Sequence, residues 1–135
     1  MSEKNYESHI GEFKNKLTRV EEKALHKIGI FTKAVAQDLA PYDTARLKSS
    51  VNYKVVKKDN AVHLGTNVEY AIYQEFGTGI YAEEGRGRTT PWLYKNRKGE
   101  TVFTRGSKPQ PFLRPAVLNN INKINRIVED MKKEF

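Results

Sequence analysis

The histidines and cysteines of this sequence give no sign of a catalytic or metal centre. His9, His26 and His63 lie far apart, and no two of them have the short spacing of a metal site. The chain contains no cysteine, which excludes disulfides, thiol nucleophiles and thiolate metal sites. We expect neither a metal nor a cofactor.

The carboxylates give a weaker hint of chemistry. Glu83 and Glu84 are adjacent, but they stand in a glycine-rich stretch, where carboxylates usually face solvent rather than a catalytic cleft. A small hydrolase that uses Glu69, Glu75 or His63 is a hypothesis with no supporting spacing. The sequence therefore favours a protein that is not an enzyme.

Two glycine pairs, in Gly77-Thr78-Gly79 and Gly85-Arg86-Gly87, resemble phosphate-binding loops only in composition. Neither opens a strand-to-helix turn, which is the arrangement that points backbone N–H groups at a phosphate. Glycines at this density instead predict an exposed, flexible loop over residues 77–91.

Positive charge is concentrated in the second half of the chain. The formal net charge is +8, from 24 Lys and Arg against 16 Asp and Glu. Between Arg86 and Arg114, eight basic residues oppose Glu100 alone, so this segment carries +7. Such a segment favours acidic partners such as DNA. The residues expected to face DNA are Arg86, Arg88, Arg97, Lys98 and Arg105.

Aromatic residues stand among these charges at Tyr81, Trp92, Tyr94 and Phe103. They could stack on nucleic-acid bases. Aromatic residues that alternate along strands belong more often to the core, however, and we expect core packing here.

The length and composition predict one domain. A chain of 135 residues with 38% hydrophobic residues can bury a single core. No apolar run approaches the roughly 18 residues of a membrane span, and the first residues lack the apolar centre of a signal peptide. We expect a soluble, intracellular domain over residues 1–135, with residues 1–9 disordered.

The spacing of apolar residues predicts two amphipathic helices. From Ile10 to Leu39 they recur every three or four positions, and Pro41 stops the pattern. The same spacing recurs from Val117 to Phe135, where Pro115 suits the first turn.

Two hairpins are predicted between the helices. Residues 51–56 and 61–65 form the first, and residues 91–95 and 101–104 form the second, with Gly99 in its turn. The order predicts an α+β fold: a small antiparallel sheet of two hairpins, packed by a long N-terminal and a C-terminal helix, with a long loop in the middle.

Two short helical turns complete the prediction. Asp43 or Thr44 is suited to cap a turn that places Leu47 on the core. Residues 68–76 have the aromatic spacing of a second turn, which Gly77 ends.

Four short motifs stand out along the chain: Ala40–Leu47 (APYDTARL), Gly65–Ala71 (GTNVEYA), Glu75–Gly79 (EFGTG) and Pro109–Ala116 (PQPFLRPA). In this order and spacing they resemble the minor structural proteins of tailed bacteriophages that complete the tail or join it to the head. The resemblance runs from about residue 10 to residue 130. One departure is Ala45, where many relatives are expected to have glycine.

The resemblance implies a virion morphogenesis protein of a phage or prophage, with no cofactor and no reaction. It implies a homo-oligomeric ring, hexameric by expectation, at the head–tail junction, after assembly in the host cytoplasm. The implied partners are the head-side connector, the tail-tube proteins and, through non-specific contact, the DNA that passes through the ring, with no membrane.

In this interpretation residues 77–115, which we call the arm, meet neighbouring subunits or the adjoining ring. The alternative is an independent, basic nucleic-acid-binding module. The residues expected at the interface are Glu75, Phe76, Gly77, Thr78, Gly79, Trp92, Pro111, Phe112 and Arg114.

Overall fold

The computed structural model describes residues 3–41, 45–96 and 98–134, with side chains described from residue 10 onward. One long helix carries the first of two antiparallel hairpins and a C-terminal helical region that packs back on it. The predicted α+β class is confirmed. Within these ranges no helix combines the length and hydrophobicity that a bilayer crossing requires.

Helix α1 spans Glu3–Leu39 and is the element on which the first hairpin and the C-terminal helices pack. Its apolar stripe buries Val20, Ala24 and Ala36. It ends before Pro41, as predicted, because proline has no N–H to continue the helical hydrogen bonds. The disorder expected for residues 1–9 stays a prediction.

The first hairpin packs on α1. Strand β1 (Asn52–Val56) pairs with β2 (Ala61–Gly65), and Tyr53 lies over Gly29 of the helix. Helix α2 (Ala45–Ser50) precedes β1 and buries Leu47 completely, as predicted. The predicted caps, Asp43 and Thr44, lie outside the described residues.

Helix α3 (Ala71–Phe76) follows the first hairpin, and Gly77 ends it with a φ of 82°, as predicted. Residues 79–81 and 83–85 form two 3-10 turns within the long loop.

The second hairpin forms a sheet of its own. Strand β3 (Trp92–Lys95) pairs with β4 (Thr101–Thr104), and Leu93 stands opposite Phe103. The expected core packing is wrong for three of the four aromatic residues: Tyr81 is 41%, Tyr94 47% and Phe103 62% exposed, whereas Trp92 is half-buried. Tyr94 and Phe103 are exposed because the second hairpin does not pack on α1, and Tyr81 lies in the loop before it.

The single C-terminal helix that we predicted is divided in two. Helix α4 spans Leu113–Leu118 and helix α5 spans Ile121–Lys132. The Asn120 side chain donates to the Ala116 carbonyl at 3.1 Å. It thereby competes with the backbone N–H that would bond to this carbonyl in a continuous helix. The break leaves Val117 and Ile121 exposed, whereas Ile127 and Met131 of α5 reach α1.

The core lies between the C-terminal half of α1 and the segments that cross it. Ala36 of α1, Leu47 of α2, Val51 beside β1, and Phe112 and Ala116 at α4 are almost completely buried there. This core fixes the start of α4 against the end of α1, and so positions the surface described next.

Candidate assembly surface

A buried carboxylate joins two of the four motifs. Glu75, in the last turn of α3, is 3% exposed and reaches the start of α4. Its Oε2 accepts from the N–H groups of Phe112 at 2.8 Å and Leu113 at 3.1 Å, and its Oε1 accepts from the N–H of Arg114 at 2.8 Å. The free N–H groups at the start of helix α4 thus bond to a side chain from another element, because Phe112 at the start of the helix has no side-chain acceptor.

Arg114 extends this connection to the loop. Its Nε donates to Glu75 Oε1 at 3.0 Å, and its Nη2 donates to the Glu75 carbonyl at 2.7 Å. Its two terminal nitrogens also donate to the Glu83 carboxylate at 2.9 and 3.0 Å. The guanidinium lies over the Phe76 ring, 4.5 Å from its centre. One side chain therefore connects α3, α4 and the loop.

The pKa values of the three groups reflect this network. Burial raises the pKa of Glu75, but the N–H donors of Phe112, Arg114 and Leu113 and the Arg114 side chain together outweigh burial, so the pKa is lowered. Hydrogen bonds from Arg114 lower the pKa of Glu83. The hydrogen bonds that Arg114 donates to Glu83 and to Glu75 in turn raise its own pKa. All three groups are therefore charged at neutral pH.

The start of the loop pairs with the end of the second hairpin. Thr78 N–H donates to the Ser107 carbonyl at 2.9 Å, and Ile80 N–H donates to the Arg105 carbonyl at 3.1 Å. Gly79 has a φ of 62°, and a Cβ there would collide with the Arg105 carbonyl. The two backbones can approach this closely only because position 79 has no side chain.

An open groove of about 790 Å³ lies between α3, the loop and the second hairpin. Its apolar walls include Ile72 and Tyr73 of α3, Phe76, and Trp92 of β3. Arg88 also lines it, donates to Thr90 at 3.1 Å and lies over the Trp92 ring. The groove can hold apolar side chains, but among the described residues no cluster of His, Asp or Glu could bind a metal ion.

The predicted interface residues divide into two groups. Phe76, Gly77, Thr78, Gly79, Trp92 and Arg114 line the groove. Glu75 and Phe112 are buried and Pro111 is half-buried, so these three form the support beneath it. Their part in an interface stays a prediction.

The residues predicted to face DNA do not form one cluster. Arg86 and Arg88 line the groove, whereas Lys98 is exposed in the hairpin turn and Arg105 is exposed after β4. Arg97 lies outside the described residues. Contact between these side chains and DNA stays a prediction.

The role of Glu83 was not predicted from the sequence: this residue was expected to face solvent and instead binds Arg114. A signal was present for the Glu75–Arg114 pair, because these are opposite charges in otherwise uncharged motifs, and charged residues are rarely buried without a partner.

Residues 7–77 match the model of a protein family described as "Bacteriophage HK97-gp10, putative tail-component". The match covers more than half of the chain and includes the first two motifs and the start of the third. The Pro109–Ala116 motif lies beyond it. Comparisons with curated proteins and with solved structures give no match.

Proposed function

This chain belongs to the HK97-gp10-like family of bacteriophage tail components, and we propose that it is a ring-forming subunit at the head–tail junction of a phage or prophage. In this role it binds other virion proteins and catalyses no reaction. The ring, hexameric in our proposal, closes the tail and joins it to the head.

The observation that carries the proposal is the exposed apolar surface of the second hairpin. Leu93 is 65% and Phe103 62% exposed, and the two face each other across the strands. Cross-strand apolar pairs normally pack against another layer. A contiguous apolar surface that the chain itself leaves uncovered is typical of a protein–protein interface.

The groove beside the hairpin supports an interface that joins unlike surfaces. A closed ring requires heterologous contacts, in which one surface of each subunit meets a different surface of the next. The groove is concave and the hairpin projects, so they are two such unlike surfaces. The head-side connector and the tail-tube proteins are the proposed partners above and below the ring.

The basic residues have a secondary role in this proposal. DNA passes through the centre of a head–tail ring, and exposed Arg86, Arg88, Lys98 and Arg105 supply non-specific attraction to its phosphates. Such contacts carry no sequence information.

Phage particles produced without this protein test the proposal by negative-stain microscopy. Separate full heads and tails are expected, and restoring the wild-type protein should restore joined particles. Joined, intact particles in its absence would refute the junction role. The matched complementation uses Leu93→Ser with Phe103→Ser, which should fail, against exposed Lys95→Ser in the same strand, which should succeed.

The second candidate function is an independent nucleic-acid-binding module, favoured by the placement of Arg88 beside Trp92 at the groove. This function requires that the protein bind short duplex DNA, with an affinity that falls steeply between low and physiological salt. The double substitution Arg86→Ala with Arg88→Ala should lower this affinity equally for all DNA sequences. Absence of binding at low salt would remove this candidate.

A further inference from the structure

The middle of the long loop is a compact unit with a narrow neck. At its two ends Gly79 and Gly87 lie so close together that a Cβ on Gly87 would collide with the Gly79 carbonyl. Two 3-10 turns, residues 79–81 and 83–85, fill the segment between them. Compact surface loops whose ends meet in this way are frequently functional. We call residues 79–87 the flap.

One side chain fastens the far end of the flap to the helices. Glu83 stands midway between the two neck glycines in the sequence, and its carboxylate accepts from the two terminal nitrogens of Arg114 at 2.9 and 3.0 Å. Within the part of the chain that the structure describes, no other hydrogen bond or ion pair joins residues 82–87 to a residue outside the flap.

The guanidinium that receives Glu83 is positioned by other groups. The Glu75 carboxylate accepts from Arg114 Nε at 3.0 Å, and the Glu75 carbonyl accepts from Nη2 at 2.7 Å. Arg114 therefore keeps its place when Glu83 leaves it. The Glu83–Arg114 pair itself is at the surface, with 38% of each side chain exposed. Ion pairs with this exposure are weak and are screened by salt.

The backbone that follows Glu83 is strained. Glu84 has a φ of 62°, a left-handed conformation that residues other than glycine rarely adopt, and Gly85 follows with a φ of 66°. A residue keeps such a conformation only where the surrounding contacts hold it. Release of Glu83 would allow Glu84 to relax, so the strain favours opening of the flap.

We propose that the flap is a movable wall of the groove, hinged at Gly79 and Gly87 and fastened by Glu83 to Arg114. Most of the flap lines the groove. While the flap is fastened, the groove has the walls between which a neighbouring hairpin can bury apolar side chains, and when the flap is released one wall is lost. The inference rests on the proposed contact between hairpin and groove, and it names the ion pair that regulates this contact.

Limited digestion with trypsin, which cuts after Arg86 in the flap, measures opening. Glu83→Gln should raise the rate of this cleavage by about threefold to tenfold, because it removes the charge that fastens the flap. The matched control is Glu84→Gln, whose carboxylate pairs with Arg86 inside the flap, and it should change the rate by less than about twofold. Cleavage within α1 should stay unchanged in both variants. No excess over the control, or an equal increase at all sites, would overturn the inference.

The single tryptophan of the chain gives a second measurement of opening. Trp92 lines the groove, so quenching of its fluorescence by acrylamide should increase when the flap opens. In the wild-type protein, quenching should rise with sodium chloride toward the level of Glu83→Gln, which should respond little to salt. A purely structural role of Glu83 would not make the two proteins converge, and the same salt response in both would contradict the inference.

Complementation of phage that lack the protein tests the effect on assembly. Glu83→Gln should give several-fold fewer joined particles than Glu69→Gln, which makes the same change at an exposed residue before α3. Equal numbers of joined particles, in spite of faster cleavage after Arg86, would show that the flap does not control the groove. That result would leave the junction role intact, because the junction role is judged by whether particles join when the protein is absent.

Discussion

Replacing Glu75 with glutamine removes a charge and an acceptor where four donors converge. The Oε2 atom serves the N–H groups of Phe112 and Leu113, and Oε1 serves the N–H and Nε of Arg114, at 2.8 to 3.1 Å. Glutamine has one amide oxygen. Whichever pair this oxygen serves, the NH₂ group faces the donors of the other pair.

The cost follows from the donors that lose their acceptor. At least one backbone N–H of the first turn of α4 is left unpaired in the buried site, at about 1–3 kcal/mol. The remaining bonds lose the strengthening of an ionised acceptor, which is roughly half of their energy. We therefore expect Glu75→Gln to lower the free energy of unfolding by about 2–4 kcal/mol, and the melting temperature by about 10 °C.

The measurement is urea unfolding at neutral pH, followed by far-ultraviolet circular dichroism. Glu69→Gln is the matched control, because it makes the same change at an exposed side chain just before α3. The control should stay within about 0.5 kcal/mol of wild type. A loss of less than about 1 kcal/mol for Glu75→Gln would refute the reasoning, since one unpaired buried N–H already costs that much.

Three further predictions concern pH, the loop and the hairpin. The stabilisation from the Glu75 carboxylate is present above its unfolded-state pKa of 4.5 and is lost as pH falls through its lower folded-state pKa. In urea titrations the difference in unfolding free energy between wild type and Glu75→Gln should therefore narrow as the pH falls below 4.5. Gly79→Ala should lower the free energy of unfolding by about 2–4 kcal/mol, because the added Cβ meets the Arg105 carbonyl. Gly85→Ala, at a similar φ of 66° but with open space around it, should lower it by only about 1–2 kcal/mol. Equal losses would show that the Arg105 carbonyl does not contact position 79. Leu93→Ser with Phe103→Ser should leave the unfolding free energy within about 0.5 kcal/mol of wild type, because both side chains are exposed, and a larger loss would place them in a core.

The spacing of apolar residues predicted the secondary structure correctly where a helix or strand packs one apolar face against one neighbouring element. It located α1, both hairpins, the turn ended by Gly77 and the burial of Leu47. It failed at Asn119 and Asn120, where the apolar spacing continues through a break in the helix. Periodicity records which residues share a face, and a side chain that takes a backbone acceptor can end a helix without disturbing that spacing.

The sequence by itself determined the elements of this protein, its excess of positive charge and, through its motifs, the phage tail-component family. The tertiary structure alone decided that Glu75 and Arg114, 39 residues apart, would bind each other and hold the loop through Glu83. It also decided that Leu93 and Phe103 of the second hairpin would be left uncovered. Periods of two and 3.6 residues are local properties of the backbone, whereas a bond across 39 residues and the exposure of a hairpin depend on the path of the whole chain.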